Sequence, residues 1–242
     1  MEGPPFHILA KRGDIAENTI VVGDPGRAKL LSGLLESPRL VNENRGLLTY
    51  TGKYKGVRIT IATHGMGCPS AAIVFEELGM LGAKRFVRLG TAGGLKPELG
   101  IGEVVVASSA LYTDGGCGLG QYYPGVCAPT APHPVLTARI VEELERRGIK
   151  YFLGPVYSSD AFYAEGPEFA KKWGEQGVLA VEMEAASLFS LGWMRGWETA
   201  AVLVISDNLV AEKKYMATSK ELREKFVSVA KALLNVLSKQ SK

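Results

Sequence analysis

The chain has few of the residues that carry metal and thiol chemistry. Its three cysteines, Cys68, Cys117 and Cys127, form no C-x-x-C pair, and its three histidines, His7, His64 and His133, are scattered. Zinc-site spacing is missing, so no metal site is expected, and no cysteine nucleophile has a histidine beside it in the sequence. Charge of one sign is also scarce. The 28 Lys and Arg against 25 Asp and Glu leave a net charge of +3, too small and dispersed for nucleic acid or an anionic membrane as main partner. No apolar run reaches the ~18 residues of a membrane span. Met1–His7 has no basic stretch leading into an apolar one, so a cytoplasmic protein is the expectation. Internal repeats, low-complexity segments and linker-like stretches are lacking too, which argues for one domain over residues 1–242. Chemistry in such a chain falls to arginine and carboxylates.

What is present is an ordinary globular composition, 46% apolar and 22% charged over 242 residues, long enough to bury a core without disulfide staples. Glycine is abundant and clusters where strands should end. The β-branched run Thr19–Val22 stops at Gly23-Asp24-Pro25-Gly26, and Arg27–Leu35 reads as a helix. Leu47–Thr51 and Val57–Thr63 read as paired strands, and Pro69–Leu81 has helical spacing. Further strands are expected at Arg85–Leu89, closed by a glycine turn over 90–94, and at Glu103–Ala107, Val156–Ser159, Leu179–Val181 and Thr199–Ile205. Helices are expected at Val135–Arg147, Glu184–Met194 and Ser219–Leu237. This alternation means an α/β layered domain with a parallel or mixed sheet. Leu111–Pro132, rich in Gly, Tyr and Pro, is too long for a plain connection and reads as a functional or subunit-contacting loop.

Ligands of open α/β sheets collect at the carboxyl ends of strands, and four such places share a theme. Gly23-Asp24-Pro25-Gly26-Arg27 can offer backbone N–H groups, a helix N-terminus and a guanidinium fork to an anion, although a plain turn with a surface arginine fits it too. It is neither a Walker A loop nor a dinucleotide fingerprint. Arg88, near the end of an apolar strand and followed by Thr91, needs an anionic partner if buried, whether a ligand or a structural carboxylate. Arg45, in Asn44-Arg45-Gly46, reads by itself as an exposed loop residue. In Val181-Glu182-Met183-Glu184, two carboxylates can grip a vicinal diol and a thioether can lie against a sugar, or a glutamate simply opens a helix. Asp207, following Ser206 at the end of the strongest core strand, is a general acid if its surroundings raise its pKa, and otherwise a cap or turn residue.

Taken in order, these stretches resemble nucleoside phosphorylase family I, which includes hexameric purine nucleoside, 5′-methylthioadenosine and uridine phosphorylases. Phe6-His7-Ile8, His64-Gly65-Met66-Gly67 and Ser159-Asp160-Ala161-Phe162-Tyr163 add to the match, which spans nearly the whole chain. It is nearest the archaeal-type methylthioadenosine phosphorylases, through Asn42–Gly46 and Ser158–Glu165. The resemblance implies a mixed sheet distorted toward a barrel and ringed by helices, in a hexamer built as a trimer of dimers. It implies phosphate binding by Gly23, Arg27, Arg88 and Thr91, with Arg45 supplied by a neighbouring subunit. Ribose contacts fall to Glu184, Met183 and His7, the last reaching the sugar's 5′ end from the adjacent subunit. Phe162 is implied to stack on the base, with Val181, Glu182 and Ser206 around it and Asp207 as the acid near purine N7. A helper for that acid is not assigned; it is Lys213, Lys214 or Arg223, or there is none.

The implied reaction is phosphorolysis of purine nucleosides to free base and a pentose 1-phosphate. It needs no metal or organic cofactor, inorganic phosphate being the co-substrate. A hydrolytic nucleosidase of the same fold has no use for three arginines around an anion. A uridine phosphorylase would carry a Gln and Arg pair after the aromatic, which is missing around Phe162. A non-catalytic nucleoside-binding protein would not need Asp207. Finally, Cys117 and Cys127 share the long loop; the first reading is three free thiols, and the alternative is a disulfide between the two or from one of them to a symmetry mate, with Cys68 as a small packing residue.

Overall fold

The computed structural model describes residues 4–211 and 215–239, so Lys213 and Lys214 lie outside the described residues. In chain order the elements are β1 (Asn18–Val22), α1 (Pro25–Ser32), β2 (Glu36–Asn42), β3 (Thr49–Tyr54), β4 (Val57–Thr63), α2 (Cys68–Met80), β5 (Arg85–Gly94) and β6 (Val104–Tyr112). There follow α3 (Leu119–Tyr122), α4 (Pro134–Arg146), β7 (Phe152–Ser158), α5 (Pro167–Glu175), β8 (Ala180–Glu182), α6 (Ala185–Arg195), β9 (Glu198–Asn208) and α7 (Arg223–Ser238). Local chemistry sets the helix ends. Asp24 accepts the Gly26 N–H at 2.7 Å and Pro25 opens α1, while Gly196, at φ 70°, closes α6.

The nine strands form one mixed sheet in the order β2-β3-β4-β1-β5-β8-β7-β6-β9, and β9 also pairs with β5. That extra pairing joins β5, β8, β7, β6 and β9 into a closed ring, the distorted barrel that the resemblance implies. β1 runs parallel to β4 and β5, and β5 parallel to β9, whereas β8 opposes β5 and β6 opposes β9. Alternation along the central strands feeds two cores. Val21, Phe86, Ala201 and Leu203 pack with residues of α2 and α6, including Phe75 and Phe189. Ile20, Val87, Val202 and Val204 pack with residues of α4 and α7, including Ile140 and Leu233. Among the described residues, no helix is long and apolar enough to cross a membrane.

Several elements depart from the sequence reading. β2 has no apolar alternation because it is an edge strand with most of its residues exposed and Pro38 within it. α5 was not anticipated; its first residue is a proline and it is only nine residues long. The glycines at 90–94 do not form a turn but continue β5, paired with β8 and β9. α7 begins at Arg223 rather than at Ser219. The segment 111–132 is partly regular: β6 runs to Tyr112, and Cys117 and Leu119 are buried. A disulfide between Cys117 and Cys127 is not formed. Cys127 is exposed, while Cys117 lies with Cys68, and all three thiols are free.

A buried carboxylate ties α4 to α7. Glu143, its side chain wholly buried, accepts from Arg146, Arg147, Asn235 and Lys239. The Arg146 hydrogen bond leads the effects that hold its pKa well below the ordinary value; burial opposes it, and Arg147, Asn235 and Lys239 assist. A depressed carboxyl contributes stability that is present above its unfolded pKa and lost as pH falls through the folded one. Glu143→Ala should cost roughly 2–3 kcal/mol in urea unfolding at neutral pH. The cost should shrink toward acid; a pH-independent cost would show that packing, not charge, is what Glu143 supplies.

Candidate active site

A cavity of about 1000 Å³ opens where β1, β4, β5 and β9 end and where β8 passes into α6. Every sequence-nominated site residue except His7 lines it. Gly23 and Arg27 come from the β1–α1 turn, Arg88 and Thr91 from β5, Val181 and Glu182 from β8, and Met183 and Glu184 from the turn into α6. Ser206 and Asp207 end β9, Phe162 stands on a 3₁₀ turn, and Arg45 reaches the rim of this same chain's cavity. His7 instead lies outside, its Nδ1 2.7 Å from Glu77 Oε1. Glu77 also collects the backbone N–H groups of Phe6, His7 and Ile8.

At one end of the cavity the guanidiniums of Arg27 and Arg88 converge, and only Arg88 has carboxylates in close contact. Arg27 donates to Thr91 Oγ1 at 3.2 Å and lies over the Phe226 ring, while Asp24 stands off at 4.0 Å. Burial lowers the Arg27 pKa against the help of Asp24, and the Arg88 charge lowers it further. Two guanidiniums that repel each other beside a glycine turn and a helix N-terminus make an anion cradle.

Arg88 is buried and bridges this cradle to the carboxylates. Its Nε donates to Glu182 at 3.0 Å, its second terminal nitrogen lies 3.0 Å from Glu182 and 2.5 Å from Glu184, and the first lies 3.1 Å from His64 Nε2. Burial works against the Arg88 charge, but Glu184 and Glu182 more than offset it, and its pKa rises. His64 is held neutral, its pKa pushed well down by burial and by Arg88, so its Nε2 accepts from Arg88. Gly90 makes room for this arrangement: a Cβ there would stand 2.8 Å from the Arg88 guanidinium.

The two glutamates have different duties. Glu182 is saturated by Arg88, the Ser158 hydroxyl and the N–H groups of Glu184 and Ala185. It therefore anchors Arg88 and caps the start of α6 while lining the cavity. Glu184 keeps its carboxylate at the cavity wall, pairing with Arg88 and accepting the Gly67 N–H at 2.6 Å. Burial pushes its pKa up, Arg88 pulls it down, and the Glu182 charge adds to the rise.

At the β9 end of the cavity, β9 bulges against β5: Ile205 pairs with Ala92 and Asp207 with Gly93, leaving Ser206 as the extra residue. Such a bulge re-aims side chains. Asp207 is pushed up in pKa by burial, against a 2.8 Å hydrogen bond from Ser206 Oγ. Glu165 also lines this end and was not singled out from the sequence, although it lies three residues beyond Phe162. Its Oε1 is buried with no protein partner, and burial raises its pKa; Ser159 opposes this and Asp207 and Glu182 add to it. Tyr215, Met216 and Ser219, ahead of α7, line the cavity as well, and no sequence pattern marked them. Arg223 opens α7 and is not among the residues lining the cavity.

The fold and the site together define a nucleoside-processing enzyme. The chain belongs to the phosphorylase superfamily, whose profile matches residues 18–239. It is 40% identical over 234 residues to a DeoD-type purine nucleoside phosphorylase of Caldanaerobacter subterraneus subsp. tengcongensis, covering 96% of this chain and 99% of that protein. It is 37% identical over 220 residues to a guanosine phosphorylase of Halorubrum lacusprofundi, covering 90% of each. The crystal structure of a uridine phosphorylase from Vibrio fischeri superimposes with a TM-score of 0.89 at 31% identity, over 99% of both chains.

Proposed function

We propose that this chain is a pentosyltransferase that cleaves purine nucleosides with inorganic phosphate, releasing the free base and a pentose 1-phosphate. The observation that carries this reading is the cradle of Arg27, Thr91 and Arg88 beside Gly23, set in one cavity with the raised carboxyl of Asp207. A phosphate dianion held there lies below the sugar and stabilises the cationic C1′ that forms as the glycosidic bond stretches. The C1′–N9 bond breaks, a phosphate oxygen bonds to C1′, and the Asp207 proton passes to N7, neutralising the leaving base. Glu184 takes the ribose 2′ and 3′ hydroxyls, Met183 lies against the sugar, and Phe162 stacks on the base. Glu165, with an oxygen still unpartnered, meets the purine edge. No metal or organic cofactor takes part in this scheme.

The ribose grip predicts a selective loss. Glu184→Gln should bring ribonucleoside turnover down toward that of the 2′-deoxy analogues, a fall of about 10–100-fold in kcat/KM. An undiminished ribo-over-deoxy preference would make Glu184 a structural partner of Arg88 alone.

The same reading includes a second copy of the chain at the cavity rim. His7 and the Asn44–Gly46 turn are bound together, Asn44 Nδ2 donating to the His7 carbonyl at 3.0 Å, and Phe6, Leu9 and Met66 are exposed apolar residues. A neighbour on this edge would receive His7 near the 5′ end of its own substrate, in a trimer of dimers; mass by light scattering tests it. A cytoplasmic location and a one-domain chain belong to the same reading, checked by cell fractionation and by a single unfolding transition. Phosphate-dependent release of base from inosine, guanosine, adenosine, methylthioadenosine and uridine tests the substrate class. Purine release expected with all or some of the first four, and uridine alone being cleaved would overturn the assignment.

A further inference from the structure

Cys68 and Cys117, far apart in sequence, are both buried, and their sulfurs lie within 4.8 Å of each other and of an Asp160 oxygen. Neither has a part in the reaction above. Cys117 sits at φ 56°, flanked by Gly116 and Gly118, in a conformation that glycine adopts without strain and cysteine does not. A sulfur is thus placed where the backbone would be better served by glycine. Its backbone N–H donates to Asp160 Oδ2 at 2.8 Å, and Asp160 stands two residues before Phe162. Cys68 opens α2 directly after Gly67, whose N–H holds Glu184. The two thiols therefore join the loop behind the ribose grip to the segment behind the base-stacking aromatic.

We propose that Cys68 and Cys117 are a reversible dithiol site, oxidised by a small-molecule disulfide to an intrachain bridge that staples these two walls of the cavity. One thiolate attacks a sulfur of the oxidant, expelling one thiol and leaving a mixed disulfide on the protein. The second cysteine then attacks the protein-bound sulfur, the S–S bond between Cys68 and Cys117 forms, and the second small thiol leaves. Two electrons pass from the pair to the oxidant, and the two cysteine protons end on the released thiols. Cys68 and burial, and after them Asp160 and Glu182, push the Cys117 thiol up in pKa, so the bridge should form faster as pH rises and more thiolate is present. Gly115 and Gly118, at φ 69° and 70°, give the Cys117 loop the freedom to close the gap.

The test uses full-length protein carrying Cys127→Ser, so that the exposed thiol does not interfere. The reduced protein is incubated with oxidised glutathione, alkylated in denaturant and mapped by mass spectrometry without reductant. The expected result is a Cys68–Cys117 linked peptide, cleaved by dithiothreitol, with no glutathione retained. The thermal midpoint should rise by about 5 °C or more. The KM for inosine should shift about threefold or more with the phosphate KM unchanged. Cys68→Ala in the same background should abolish the link and both shifts. Two free thiols after exhaustive oxidation, a bridge that leaves midpoint and KM unmoved, or one zinc ion per chain lost on Cys68→Ala would each overturn the proposal. The peptide map does not depend on catalysis, so its failure is distinguishable from failure of the phosphorolysis reading.

Discussion

Arg88→Ala should lose phosphate binding and fold stability together. The guanidinium supports the anion cradle on one side and bridges Glu182 and Glu184, both buried, on the other. Removing it leaves two carboxylates facing each other in the interior, which costs about 3–5 kcal/mol of stability. The contact to a phosphate dianion is worth roughly 2–4 kcal/mol, so kcat/KM for phosphate should fall by about 30–1000-fold. Should the alanine variant fail to fold, Arg88→Lys separates the two roles. An ammonium keeps the charge but has no fork to span both carboxylates, so phosphate KM should rise about tenfold in a folded protein. Phosphate saturation like that of the unaltered enzyme in Arg88→Lys would remove Arg88 from the cradle.

Asp207→Asn should abolish acid assistance to the leaving base. General-acid catalysis contributes about 100–10,000-fold, and a fall of that order is expected for adenosine. Inosine should suffer less, because its 6-oxo purine presents the opposite donor pattern beside N7 and the asparagine amide can meet it. The pH profile carries the sign. Burial raises the Asp207 pKa, and only the protonated carboxyl donates, so kcat should decline as pH rises through that raised value. The Asn variant should lack this alkaline limb. Unchanged adenosine turnover, or the same limb in both proteins, would place the acid elsewhere.

Much of the site was legible because its residues stand at strand ends, where glycine marks the approach of backbone to ligand. Arg27, Arg88, Glu184 and Asp207 were all nominated from that logic together with the family resemblance, and one cavity collects them. The rest was not legible in the sequence for physical reasons. Glu182 and Glu184 are alike in sequence, but only a structure shows that five donors converge on the first from β5, β7 and its own helix start. Glu165 carries no local pattern, since its meaning comes from an unpartnered oxygen facing a cavity. β2 and α5 were missed because an exposed edge strand and a nine-residue surface helix lack strong periodicity. The glycines after Arg88 read as a turn, yet they are strand residues, and Gly90 keeps a side chain out of the way of the folded-back guanidinium. Cys117 shares its loop with Cys127 in the sequence, but the loop turns inward and brings Cys117 to Cys68 at the start of α2.

The central claim is that the arginine cradle holds the nucleophile, and following inosine cleavage by phosphorus NMR as phosphate is raised from zero tests it most directly. The account predicts negligible hypoxanthine release without phosphate, a saturable rise with it, and ribose 1-phosphate formed one for one with the base. Hypoxanthine released at an undiminished rate without phosphate, accompanied by free ribose, would contradict it.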